Sequence, residues 1–143
     1  MIVTDEETLR VHCEEVLPEE VQELRERLEA ALKWSASKGR PGVGIACPQI
    51  GIAKAMAIVR IGDTSIDLVN PKILNKYHQF KFEGEGCLSF PGLQEETLRY
   101  NEIVVESAVS PYNFIVTGFG AVVVQHEIDH LNSILLPDVA IEK

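Results

Sequence analysis

The residues with the clearest chemistry in this chain are Gln125-His126-Glu127-Ile128-Asp129-His130, which contain the pattern HExxH. On a helix, positions i and i+4 share a face, so His126 and His130 can both offer an imidazole nitrogen to one metal ion. Glu127 is then carried beside the open coordination position, where it can take a proton from a water held there. The plain alternative is a solvated helix with two chance histidines. Only four histidines occur in the chain, however, and two of them fall in this pattern.

Two histidines do not complete a catalytic site, and a third protein ligand is expected. Thermolysin-like proteases draw a glutamate from well downstream, but here only Asp138 and Glu142 are acidic after His130. The metzincin pattern requires a glycine and a histidine where Ser133 and Leu136 stand. The ligand should therefore come from upstream. Cys87 is the best candidate because it sits between Gly86 and Leu88 at a strand end, although a buried cysteine is usually a small apolar filler.

Three segments in order, Gly42-Val43-Gly44-Ile45-Ala46-Cys47-Pro48-Gln49, Glu85-Gly86-Cys87-Leu88-Ser89 and the HExxH segment, resemble the three motifs of the peptide deformylases. Ile45, Cys47 and Ser133 depart from the usual leucine, alanine and glycine, and none of the three is a ligand or proton carrier. The resemblance implies hydrolytic removal of the formyl group from N-formyl-methionine at the start of new polypeptides. It implies one divalent metal held by Cys87, His126 and His130, with Fe²⁺ favoured as the physiological ion. A mixed Cys/His₂ set also accepts Zn²⁺, Ni²⁺ or Co²⁺. Glu127 would act as general base and then acid. The Gln49 side-chain amide and the Leu88 backbone N–H would hold the oxyanion.

The resemblance further places Gly42, Val43, Gly44, Glu85 and Arg99 along the peptide path; read without it, Arg99 is a lone surface arginine. The two glycines let an extended peptide approach and pair with the loop. Phe119, Val122 and Val123, one and two turns before His126, are read both as a pocket for the methionine side chain and as ordinary core. Asp129 either orients a ligand histidine or faces solvent. Two other functional classes compete. In a thiol hydrolase, Cys87 would be a nucleophile paired with His126, leaving Glu127 and His130 without roles. A binding module that had lost turnover would not be expected to retain every ligand together with Glu127 and Gln49.

The elements that must position these groups follow from pattern. Leu17-Pro18-Glu19-Glu20 opens a helix, with proline and two acids in its first turn, and Gly39 stops it. Val21, Leu24, Leu28, Ala31 and Leu32 form its apolar face. A turn-rich segment runs from Gly42 to Gly51. Strands are expected at Ala55–Ile61 and Ser65–Val69 around Gly62-Asp63-Thr64, and then at Lys72–His78 and Phe80–Glu85. The last of these should continue into Gly86-Cys87-Leu88-Ser89 and end at Pro91-Gly92. Two more strands are expected at Glu102–Ala108 and Asn113–Val116. Val122-Val123-Val124 favours a strand by propensity, but HExxH chemistry requires a helix over Gly118–Asn132 with Thr117 as N-cap. The expected fold is α+β: a central HExxH helix surrounded by antiparallel sheets, with an N-terminal helix.

The chain has 143 residues, enough for one domain with a real core, and residues 1–143 are read as a single catalytic domain. No apolar run approaches the roughly 20 residues of a membrane span. The start lacks a signal-peptide pattern, and three cysteines at unrelated spacings imply no disulfide framework. These features point to the cytoplasm, or to a host's cytoplasm for a phage-encoded protein. The net charge of −9 argues against nucleic-acid binding. The expected partners are formyl-methionyl nascent peptides, with at most weak ribosome association and a monomeric state. The short stretch after the HExxH helix resembles short-ended members of the family, phage-encoded ones among them, which lack a C-terminal extension. Residues 138 to 143 offer ribosomal RNA no basic patch.

Overall fold

A three-stranded antiparallel sheet with a helix on each face forms one half of the core of the computed structural model, which describes residues 1–142. Its strands are β1 (Gly44–Ala46), β2 (Met56–Ile61) and β3 (Thr64–Val69), in that order. Successive side chains on a strand face opposite sides, and here both sides are apolar. Ile45, Met56, Ile58 and Val69 pack with Leu24, Leu28, Ala31 and Leu32 of the N-terminal helix. Ala46, Ala57, Val59 and Leu68 pack with Ala121, Val124 and Ile128 of the HExxH helix.

A short helix, α1 (Glu6–Leu9), precedes the long one and was not evident from the sequence pattern. The helix expected after Leu17 begins with a 3-10 turn at Pro18–Glu20 and continues as α2 (Val21–Ser37). Gly39 follows its end at φ +81, a conformation glycine adopts without steric cost. The expected β2–β3 hairpin is present, and Ile61 pairs with Thr64 across a two-residue turn, Gly62-Asp63. The segment read as turns holds β1 and a 3-10 turn over Cys47–Ile50.

The second sheet, β4 (Lys72–Cys87), β5 (Phe90–Glu106) and β6 (Asn113–Thr117), is also antiparallel and departs further from the sequence reading. The two strands expected between Lys72 and Glu85 are one strand, with register shifts between Ile73 and Asn75 and between Phe82 and Glu85. Pro91-Gly92 does not end a strand. The turn is at Leu88-Ser89, and β5 starts at Phe90. Cys87 pairs with Phe90 and Gly86 with Gln94, so residues 91–93 bulge from the ladder and proline's missing N–H costs no pairing there.

The final long helix, α3 (Gly118–Leu131), settles the conflict between propensity and chemistry in favour of the helix. It is buried on nearly every side from Ala121 to Leu131, so packing outweighs the β preference of its valines. Thr117 occupies the N-cap position without a side-chain capping bond. A last turn, α4 (Leu136–Val139), carries Pro137 in its first turn. No helix among the described residues is long and apolar enough to cross a membrane. The architecture is the expected α+β fold with antiparallel sheets around the HExxH helix.

Candidate metal centre

Helix α3 brings His126 and His130 to one face, one turn apart, with their Nε2 atoms 3.2 Å from each other. Strand β4 ends on Cys87, whose Sγ lies 3.4 Å from His130 Nε2. The three donor atoms all fall within 4.8 Å of one another. Two imidazole nitrogens at about 2.05 Å and a thiolate at about 2.3 Å from a shared tetrahedral ion would lie about 3.3 Å (N to N) and about 3.6 Å (N to S) apart. The observed separations agree with that set. Burial pushes His130 down to about 3, so its imidazole is neutral and its nitrogen lone pair is available. The residues therefore fit a metal.

The partners of His126 reinforce the fit. Its Nδ1 lies 2.8 Å from Glu85 Oε2. Burial alone would raise the Glu85 carboxyl, but hydrogen bonds from Arg99 and His126 prevail and hold it at about 2. An ionised Glu85 can only accept, so Nδ1 carries a ring proton and Nε2 faces Cys87 and His130. Burial opposes charge on this ring, but hydrogen bonds to Cys87 and Glu85 prevail and raise His126 well above its ordinary value, so a metal would take the place of the second proton at Nε2. Glu85 also accepts from Thr97 Oγ1 at 2.8 Å and from Arg99 Nε at 2.8 Å, and Arg99 Nη1 donates to Asp129 at 2.7 Å.

Glu127 is 3% exposed, and its Oε1 has no hydrogen-bond partner. Burial raises its carboxyl to about 7. A Cβ on Gly44 would lie 2.6 Å from Glu127 Oε2, so this glycine makes room for that carboxylate. Gln49 is held at both ends of its amide. Its Oε1 accepts from the Ala46 N–H at 2.9 Å, and its Nε2 donates to Ser89 Oγ at 3.1 Å and faces Cys87 Sγ at 3.6 Å. Arg40 Nη2 donates to the Leu88 carbonyl at 3.0 Å, and the Leu88 side chain fills the space a Cβ on Gly42 would take.

These groups open on a cleft of about 300 Å³. Gly42, Val43, Gly44 and Leu88 line it from one side, Phe119, Val122 and Val123 from α3. Phe119 stands at the rim, half exposed, while Val122 and Val123 are buried. Arg99 corrects the sequence reading: it is 5% exposed, and its guanidinium is spent on Glu85 and Asp129 rather than on a peptide path. Asp129 does not simply face solvent, and acts through Arg99 rather than on a histidine directly. Glu85 borders the cleft but turns its carboxylate inward.

Sequence reasoning missed four contributors: Thr97, Ser89, Arg40 and Phe82. Phe82 lines the cleft and stacks on Phe119 with ring centroids 6.0 Å apart. The alternation Phe80, Phe82 and Thr97, Arg99 was the available signal, since residues two apart share a strand face. Pro91-Gly92 and the acidic residues at Glu95-Glu96 mask that alternation in the first half of β5.

Comparison with known proteins agrees with this geometry. The polypeptide deformylase family matches residues 1–143. A peptide deformylase from Syntrophomonas wolfei is 44% identical over 104 residues, covering 71% of this chain and 68% of the relative. The peptide deformylase of Thermotoga maritima superposes with a TM-score of 0.85 at 29% identity, over 99% of this chain and 97% of that one. A class I type b peptide deformylase from Acinetobacter baumannii, crystallised with Met-Ala-Ser bound, superposes at 0.82 with 28% identity, over 97% and 96% of the two chains. A match along its whole length, joined to a Cys/His/His centre of the right spacing, makes this chain a member of the peptide deformylase family.

Proposed function

We propose that Glu127 is the proton carrier of this deformylase and that Cys87, His126 and His130 hold its single divalent metal. The reaction itself, removal of the N-formyl group from nascent peptides, comes with the family. The observation that carries the assignment of Glu127 is its buried carboxylate, adjacent to a ligand in sequence, with one oxygen unpartnered beside the cleft.

A bound metal supplies Lewis acidity and makes water a better nucleophile near neutral pH. Glu127 takes the proton as water attacks the formyl carbon, then delivers it to the amine as the C–N bond breaks and formate leaves. The Gln49 amide, already oriented by Ala46 and Ser89, and the Leu88 N–H stabilise the oxyanion. An extended peptide pairs with Gly42, Val43 and Gly44, the segment that leads into the edge strand β1. Phe119, Val122 and Val123, joined by Phe82, receive the methionine side chain. That the Acinetobacter relative was crystallised with Met-Ala-Ser, a peptide beginning with methionine, supports a methionyl peptide as the occupant of the cleft.

In this reading the physiological ion is Fe²⁺, with Zn²⁺, Ni²⁺ or Co²⁺ able to replace it. The enzyme is a cytoplasmic monomer. It associates with the ribosome weakly, since a net charge of −9 disfavours contact with a phosphate backbone. Replacing Glu127→Gln tests the central assignment. The variant is expected to bind metal at the same stoichiometry while kcat on formyl-Met-Ala falls by about 10²–10⁴-fold, the usual loss of a general base. Near-normal hydrolysis by the metal-loaded variant would reject it.

A further inference from the structure

We infer that Thr97 is a positioning residue for the ligand His126, acting through Glu85, and that the terminal segment braces it. The inference rests on the metal reading of the Cys87–His126–His130 centre. A carboxylate offers about four acceptor sites, and Glu85 uses all of them. Thr97 Oγ1 and Arg99 Nε reach Oε1, both at 2.8 Å. Arg99 Nη2 and His126 Nδ1 reach Oε2. Arg99 supplies charge and a fork in one plane. Thr97 supplies a donor from the adjoining part of β5, so removing its hydroxyl leaves a lone pair of a buried anion unmet.

The geometry depends on the register shift between Phe82 and Glu85. Phe82 pairs with Thr97 and Glu85 with Glu95, so the extra residue in β4 turns the Glu85 side chain toward Thr97 and Arg99, which share one face of β5. Strand β6 pairs only with Glu102–Glu106 and leaves the edge at Thr97 uncovered. The terminal segment fills that edge: Ala140 pairs with Thr97, and the Ile141 N–H donates to the Glu96 carbonyl at 2.8 Å. Thr97 is 0% exposed as a result.

The competing explanation is that Thr97 merely satisfies its own hydroxyl in a packed strand. Metal affinity separates the two. Zn²⁺ dissociation constants would be measured by chelator competition, and the Co²⁺ form would be followed by its ligand-field absorption. Thr97→Val keeps the shape and removes the donor. It is expected to weaken Zn²⁺ about tenfold and alter the Co²⁺ spectrum, leaving KM for formyl-Met-Ala within about twofold. Should Thr97→Val fold poorly, Thr97→Ala and Thr97→Ser lose the same methyl and differ only in the hydroxyl; the serine variant should bind Zn²⁺ about tenfold tighter. In a Glu85→Gln background, Thr97→Val should add no further loss. Parent-like Zn²⁺ affinity in Thr97→Val, or equal losses in the alanine and serine variants, would overturn the inference alone. Failure of the unaltered protein to bind Zn²⁺ or Co²⁺ at Cys87, His126 and His130 would instead sink the metal reading, and this inference with it.

Discussion

Two glycines of one motif have different neighbours, and the difference predicts different outcomes. A Cβ at Gly44 would meet Glu127 Oε2 at 2.6 Å, while one at Gly42 would meet Leu88 Cδ1 at 2.7 Å. Both contacts are with the ends of flexible side chains, so neither alanine should unfold the protein. The consequences for chemistry diverge, because a carboxylate displaced by about 1 Å can cost about 10²-fold in rate. Gly44→Ala is therefore expected to lower kcat by roughly that factor with metal content unchanged. Gly42→Ala should act mainly on KM, since Leu88 borders the cleft and carries no proton. Steady-state kinetics on formyl-Met-Ala would settle it, and an unaltered kcat in Gly44→Ala would contradict the close approach.

At the scale of elements, α4 and the residues after it are fastened at two points. Arg10 of the N-terminal segment forks onto Asp138 with Nη1–Oδ2 2.7 Å and Nη2–Oδ1 2.9 Å, and Ala140 joins β5 at Thr97. The hydrogen bonds from Arg10 hold the Asp138 carboxyl below its ordinary value of 3.8, helped by the Leu135 N–H. A lowered folded pKa means the contribution is fully present above pH 3.8 and disappears as pH falls through the folded value. Asp138→Asn should thus lower Tm at neutral pH by on the order of 1–3 °C, small because the pair is partly solvated. The gap from the parent protein should close in acid. A gap that stays constant from neutral pH to below the folded value would show that the Arg10–Asp138 pair contributes through packing and not charge.

Across the whole molecule, stability and chemistry are divided between the two faces of the first sheet. Leu28 on α2 is 0% exposed and packs with Ile45 and Ile58 on the face turned away from α3. Leu28→Ala leaves a cavity and should destabilise by about 2–5 kcal/mol, while kcat/KM of the folded fraction stays within about twofold, because no side chain of α2 lines the cleft. Denaturant unfolding checks the first expectation and kinetics below the transition the second. A large fall in kcat/KM of the native protein would mean that α2 positions β1, and with it Gly44, more tightly than this division allows.

Local spacing was legible in the residues themselves, for physical reasons. The i, i+4 histidines require a helix, so the chemistry identified α3 where the valines pointed to a strand, and packing on both sheets then met the cost. The apolar period of α2 and the Gly62-Asp63 turn were readable because helix faces and two-residue hairpins depend on neighbours close in sequence. The environment of the ligands was not. Thr97 and Arg99 meet Glu85, and Asp129 meets Arg99, only because a register shift in β4, a bulge at Pro91-Gly92 and the bridge from Ala140 to Thr97 bring together residues 12, 14 and 30 positions apart. The same long-range packing turned Arg99 from an expected surface residue into a buried partner, and it made Gly44 the space for Glu127. Residue types and spacing thus determined which atoms hold the metal. Strand register, which no short window of sequence encodes, decided what holds those atoms in place.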